Sequence, residues 1–71
     1  MKLTELSLQY RETGERCRIL LKAQRRALCA PELTEAERLL IRRRITLLSA
    51  MLRENIETAI YLEKYYGRHA S

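Results

Sequence analysis

The sequence contains no Trp, no Phe and no Asp, and it has only one His, one Pro, two Gly and two Cys. The missing Asp and the single His remove side chains on which many acid–base and metal-assisted active sites depend. Cys17 and Cys29 are expected on one helix, about 18 Å apart, whereas a disulfide needs Cα atoms within roughly 7 Å. Neither cysteine has zinc-ligand spacing to His69. We therefore expect no disulfide, metal, cofactor, catalytic residue or enzymatic activity.

Long apolar runs are missing as well. No stretch approaches the roughly 18 apolar residues of a membrane-spanning helix, so we expect no membrane partner. No apolar run follows Lys2, so no secretory signal is expected either. Cysteines without a disulfide are typical of a reducing compartment. The sequence therefore predicts a cytoplasmic location.

The chain is short, and its length limits the core that it can build. Its 71 residues form one domain at most, which we place at residues 1–71. Below about 70–80 residues a single core rarely supplies more than about 3–5 kcal/mol, so such a chain needs a further source of stability. Because disulfides and metals are not expected, self-association is the remaining source.

The strongest positive signal is one long helix over residues 34–66. Thr34 and Glu37 have the spacing of a capping box at its start, and Gly67 stands where a left-handed C-terminal cap is expected. At 100° per residue, its apolar side chains form two adjoining stripes, which are wider than one neighbouring helix covers. The first stripe contains Ile41, Ile45, Leu48, Leu52, Ala59 and Tyr66, and the second contains Leu40, Leu47, Met51, Leu62 and Tyr65.

A first helix is predicted over residues 4–29, with Thr4 as its N-cap. Gly14 in its interior indicates either a point where a neighbouring helix comes close or a weak point, since Gly costs about 1 kcal/mol against Ala there. The inward-facing stripe of this helix contains Leu3, Leu6, Tyr10, Cys17, Leu20, Leu21, Gln24 and Leu28.

The connection between the helices is expected at residues 30–33, because Pro31 cannot continue a helix. A connection this short predicts two neighbouring antiparallel helices. The resulting register places Tyr10 beside residues 51–52. The tyrosines near the end of the second helix then overhang the first helix by about two turns, and residues 67–71 form a tail.

These elements predict an all-α fold, an antiparallel helical hairpin that dimerises into a four-helix bundle. The second helix supplies the interface, because its second stripe has no neighbour within the chain. Arg44 and Asn55 lie between the two stripes, where polar residues commonly fix register, and a buried Arg44 would need an acidic partner. The predicted interface consists of Leu40, Arg44, Leu47, Met51, Asn55, Leu62, Tyr65 and Tyr66.

The net charge of +5 and the pI near 9.7 are compatible with an acidic protein partner or with nucleic acid. Three consecutive helical residues, Arg42, Arg43 and Arg44, spread over about 200° and do not reach one groove together. A solvated or ion-pairing surface is therefore favoured over nucleic-acid binding. The candidate contacts for an anion or nucleic acid are Arg18, Lys22, Arg25, Arg26, Arg42, Arg43 and Arg53.

Three segments, Leu6–Arg11, Leu40–Ile45 and Tyr61–Tyr66, resemble small two-helix proteins of unknown function encoded in prophages and conjugative elements of Gram-positive bacteria. The resemblance covers most of the chain and implies an accessory protein of a mobile element, with no known chemistry. The function expected from the sequence is a non-catalytic, oligomeric interaction or regulatory module. The alternative is an accessory protein that binds nucleic acid weakly and in a salt-sensitive way.

Overall fold

A computed structural model of the chain describes the backbone of residues 2–69 and the side chains of residues 2–65. Two α-helices make up most of it: α1 spans Leu3–Leu28 and α2 spans Glu35–His69. The helices lie side by side in opposite directions and form a rod 56 Å long and 16 by 13 Å across. The described residues contain no strand. The predicted all-α helical hairpin is confirmed.

The ends of α1 differ from the prediction by one residue each. The helix begins at Leu3, with Lys2 as an N-cap that makes no side-chain capping bond, so Thr4 lies inside the first turn. There the Thr4 carbonyl accepts a 3.0 Å hydrogen bond from the Ser7 hydroxyl. At the other end, the Cys29 amide donates to the Arg26 carbonyl at 3.0 Å, which tightens the last turn before Pro31.

The start of α2 follows the predicted capping box. The Glu37 amide donates to the Thr34 hydroxyl at 3.1 Å, and the Thr34 amide donates to the Glu37 carboxylate at 3.3 Å. The predicted end at Tyr66 is wrong, because the helix continues through Gly67 to His69. Gly permits a left-handed cap but does not require one. Residues 70–71 of the predicted tail lie outside the described residues.

The contact between α1 and α2 runs along a seam of residues spaced alternately by three and four positions, as in a coiled coil. Every seam residue is buried or half-buried. Leu20, which was predicted to face inward, is 52% exposed, because it lies one position beside the seam. The seam consists of Leu3, Ser7, Tyr10, Gly14, Cys17, Leu21, Gln24 and Leu28 of α1, and Arg38, Ile41, Ile45, Leu48, Leu52, Asn55, Ala59 and Leu62 of α2.

The register of the two helices differs from the predicted one by about two turns. Gly14 faces Asn55 and Ile56, and a β carbon added at Gly14 would lie 2.9 Å from Ile56 Cδ1. Tyr10 precedes Gly14 by one turn, so in an antiparallel pair it lies opposite later residues of α2 and not opposite residues 51–52. Because α1 ends opposite a residue inside α2, the connection between the helices runs alongside the first turns of α2. The predicted overhang of the tyrosines is wrong, because a shift of about two turns cancels it and sets Tyr61 and Tyr65 alongside the first turns of α1.

Candidate interaction faces

The ion pair between Arg11 and Glu63 identifies which flanks of α1 and α2 share one face. The Arg11 guanidinium donates from Nε to Oε1 and from Nη2 to Oε2, the second contact at 2.8 Å. Arg11 directly follows the seam residue Tyr10, and Glu63 directly follows the seam residue Leu62. In both helices, therefore, residues directly after a seam residue lie on this face, and residues directly before a seam residue lie on the opposite face.

The opposite face carries most of the large exposed apolar side chains. Leu47 is 62% exposed and Leu20 is 52% exposed, although large apolar side chains of this kind are usually covered. Several exposed apolar side chains on one face of a small protein often mark a contact with another molecule. We call this surface the apolar face, and its residues are Leu20, Leu40, Leu47, Met51, Tyr61 and Tyr65.

Three charged residues lie on the α2 part of the apolar face: Glu37 belongs to the capping box, and Arg44 and Glu54, of opposite sign, interrupt the apolar side chains. Arg44 directly precedes the seam residue Ile45, and Glu54 directly precedes the seam residue Asn55. Both are exposed, and neither forms an ion pair within residues 2–65. Arg44 was expected to be buried against an acid, and in the single chain it is neither buried nor paired. The two charges are three helical turns apart along the same strip of α2.

The apolar face ends in two aromatic side chains at the end of the hairpin far from the connection between the helices. The rings of Tyr61 and Tyr65 stack with centroids 6.5 Å apart and an interplanar angle of 23°. Near this end, a shallow pocket of about 160 Å³ opens between α1 and α2. Its lining residues are Leu6, Gln9, Tyr10, Thr13 and Asn55. The pocket adds a concave, partly polar surface to an otherwise convex face.

The predicted interface residues separate into two groups. Leu40, Arg44, Leu47, Met51 and Tyr65 lie on the apolar face, where they are exposed. The other two described members belong to the seam between the helices of one chain. They are Asn55 and Leu62, and the side chain of Tyr66 lies outside the described residues.

The contacts of Asn55 with Gly14 and Met51 place it in the seam. A β carbon at Gly14 would lie 3.7 Å from the Asn55 β carbon, and the Asn55 side-chain amide donates to the Met51 carbonyl at 2.7 Å. The amide therefore has a hydrogen-bond acceptor within its own helix. The sequence-based interface did not include Leu20 or Glu54. Their common position, one residue before the seam, would have identified them.

The face that carries Arg11 and Glu63 is strongly basic towards the connection between the helices. One of the basic residues on this face, Arg18, makes a 3.7 Å ion pair with Glu15, one turn earlier on α1. Of the predicted anion contacts, Arg26 and Arg43 lie on the outward sides of their helices, two positions from the nearest seam residue. The other five share one surface, which we call the basic face: Arg18, Lys22, Arg25, Arg42 and Arg53.

Within the described part of the chain, no group of three or more His, Cys or Glu side chains comes close enough to hold a metal ion. Neither helix contains, in its described residues, an apolar stretch long enough to cross a membrane. Comparison with known proteins gives no match: no protein-family model, no curated protein and no solved structure is significantly similar to this chain. The two faces are therefore the features of the chain that bear on its function.

Proposed function

We propose that this chain is a non-catalytic interaction module that acts as a self-associated helical hairpin. The observation that carries the proposal is the apolar face, together with the small core behind it. The buried apolar residues are only Cys17, Leu21, Ile41 and Ala59, and no large side chain is fully buried in the described residues. So small a core supplies little stability, and covering the apolar face would add to it.

Self-association makes a direct prediction about stability. If the core is completed by a second chain, the folded state is favoured by mass action and the melting temperature rises with protein concentration. Light scattering gives the molar mass, and circular dichroism followed across a wide range of concentrations gives the melting temperature. A stable monomer whose melting temperature does not change with concentration would contradict the proposal.

The chain offers a matched pair of variants for this test. Leu47→Glu places a charge on the apolar face, whereas Ile19→Glu places the same charge on the outward side of α1. The two wild-type side chains are almost equally exposed, at 62% and 61%. We expect Leu47→Glu to shift the molar mass towards the monomer and Ile19→Glu to leave it unchanged. Equal effects of the two substitutions would argue against the apolar face as the interface.

The basic face suggests how the assembled module would meet a partner. It lies opposite the apolar face, so self-association leaves Arg18, Lys22 and Arg53 open to an acidic protein. We place the module in the cytoplasm, and the two free cysteines, Cys17 and Cys29, support this assignment. The role that the resemblance implies, an accessory protein of a mobile element, stays a prediction.

The second candidate function is weak binding of nucleic acid, and the grouping of five bases on one face favours it. A few phosphate contacts would give binding without sequence preference that weakens steeply with salt. Arg42→Glu with Arg53→Glu should abolish such binding, while Arg26→Glu with Arg43→Glu makes the same charge change away from the basic face. Loss with the first pair alone would support this function. Equal losses of binding with both pairs would indicate attraction by net charge. Absence of binding by the wild type would exclude nucleic-acid binding as the function.

A further inference from the structure

We propose that the apolar face is covered by a second copy of this chain lying antiparallel to the first, with the two-fold axis at the level of Ser49. This inference rests on the proposed self-association and adds its geometry. In a two-fold dimer of this kind, α2 lies against α2 of the partner subunit and α1 lies against its counterpart.

Between residues 44 and 54, the exposed strip of α2 reads symmetrically about residue 49. Leu47 and Met51 lie two positions either side of it, and Arg44 and Glu54 lie five positions either side. Antiparallel pairing about this point therefore sets Leu47 against Met51 of the partner subunit. It also sets Arg44 against Glu54 of the partner subunit, twice per dimer.

Charge decides between the two orientations of α2 against its copy. A parallel arrangement in register brings Arg44 against Arg44 of the partner subunit and Glu54 against Glu54 of the partner subunit. Like charges placed together in an interface oppose association, whereas opposite charges favour it and fix the register. The antiparallel arrangement also gives both charges the partner that each lacks within residues 2–65 of its own chain.

The position of Leu20 on α1 independently indicates the same level for the two-fold axis. Gly14 lies opposite Asn55 and Ile56, so six residues further along α1, Leu20 lies opposite residues 49–50 of α2. A residue on a two-fold axis meets its own copy, which an apolar side chain tolerates and a charged one does not. Leu20 is on the apolar face and 52% exposed, as this position requires.

Charge reversal tests the geometry. Arg44→Glu alone and Glu54→Arg alone each create two like-charge contacts per dimer, and we expect each to weaken self-association by about tenfold or more. When the two single variants are mixed, each reversed charge meets its opposite, so a heterodimer should form. The double variant Arg44→Glu/Glu54→Arg should also recover self-association. Mass spectrometry of intact complexes distinguishes the heterodimer from the parent homodimers.

The control makes the same reversals on the outward side of α2. Arg43→Glu and Glu57→Arg lie away from both faces, and we expect their mixture to show no preference for the heterodimer. A wild-type chain that is monomeric at all concentrations would overturn the proposed self-association itself. A wild-type dimer whose Arg44→Glu and Glu54→Arg variants do not prefer each other would overturn only the antiparallel geometry.

Crosslinking gives a second measurement that does not depend on charge. With the exposed Cys29 changed to Ser, Leu20→Cys places an accessible thiol at the expected axis, while Cys17 stays buried. Mild oxidation should link two copies through this thiol, and Ile19→Cys in the same background should link far less. If both form disulfide dimers equally well, or if Leu20→Cys forms none, the axis does not lie at Leu20.

Discussion

Arg11 and Glu63 join α1 to α2 through a two-point contact between a guanidinium group and a carboxylate. They are separated by 52 residues along the chain. The contact is exposed, so it contributes modestly to stability, and its two-point geometry fits the observed register of the helices. Hydrogen bonding to Arg11 lowers the pKa of Glu63 below its ordinary value of 4.5, with a smaller contribution from the charge of Arg11.

The stability provided by this ion pair should depend on pH in the acid range. Because the pKa of Glu63 is lower in the folded chain, the contribution is present above about pH 4.5 and is lost as pH falls through the folded pKa. Glu63→Gln should therefore lower the melting temperature at pH 7 and have a smaller effect at pH 3. Circular dichroism at fixed protein concentration measures both. Glu57→Gln, on the outward side of α2, is the control and should show no such difference.

A second prediction concerns the contact between Gly14 and Ile56. Ala at position 14 gains about 1 kcal/mol of helix propensity, but its β carbon would lie 2.9 Å from the terminal methyl of Ile56, which must move. We expect Gly14→Ala alone to change the free energy of unfolding by less than about 1 kcal/mol.

The double variant separates the two effects. Ile56→Val removes the crowded methyl, so Gly14→Ala should stabilise the Ile56→Val background by about 0.5–1 kcal/mol. Urea denaturation of all four chains at one protein concentration gives the coupling. The same effect of Gly14→Ala in both backgrounds would mean that Ile56 does not limit the space at Gly14.

The features that were predictable are those encoded by residues close together in the sequence. The capping box needs only Thr34 and Glu37, three positions apart, and both of its hydrogen bonds form. The end of α2 was not predictable in this way, because Gly67 fits a left-handed cap and a helix interior alike. Local chemistry thus determined the two helices and the start of α2.

The register could not be predicted, because it depends on contacts between distant residues. Periodicity shows which side of a helix is apolar, but not how far one helix slides along the other. The contacts of Gly14 with Ile56 and of Arg11 with Glu63 show that offset, and each joins residues far apart in the sequence. The sequence also does not show where, within the wide apolar arc of α2, the part that packs on α1 ends and the exposed part begins. The interface prediction therefore included Asn55, which the structure places in the seam.

A third prediction follows from an unpaired group in the seam. The side-chain oxygen of Gln24 is buried and has no hydrogen-bond partner among the described residues. An unsatisfied buried polar group costs about 1–3 kcal/mol, and an apolar side chain of similar size removes this cost. Gln24→Leu should raise the free energy of unfolding by about 1 kcal/mol, measured in urea. Gln24→Glu should lower it, because it buries a charge without a partner. A loss of stability in the Leu variant would show that Gln24 is satisfied in solution.

The start of α2 gives a fourth prediction, because this end of the helix extends past Leu28 and relies on its own cap. Thr34→Ala removes the hydroxyl that accepts from the Glu37 amide and should cost about 1 kcal/mol. Thr46→Ala is the matched control. The Thr46 hydroxyl donates to the Arg42 carbonyl at 3.1 Å in the helix interior, where Ala is the better helix former.

Hydrogen exchange locates the expected effect within the helix. In Thr34→Ala, exchange of the Glu37 amide should accelerate, while amides near the middle of α2 change only as far as global stability falls. Leu40 lies in the second turn of α2, so fraying there also loosens the connection end of the apolar face. We therefore expect Thr34→Ala to weaken self-association slightly, and Thr34→Ser, which keeps the hydroxyl, to restore it. Uniform acceleration along α2 in Thr34→Ala would assign the loss to global unfolding and not to the cap.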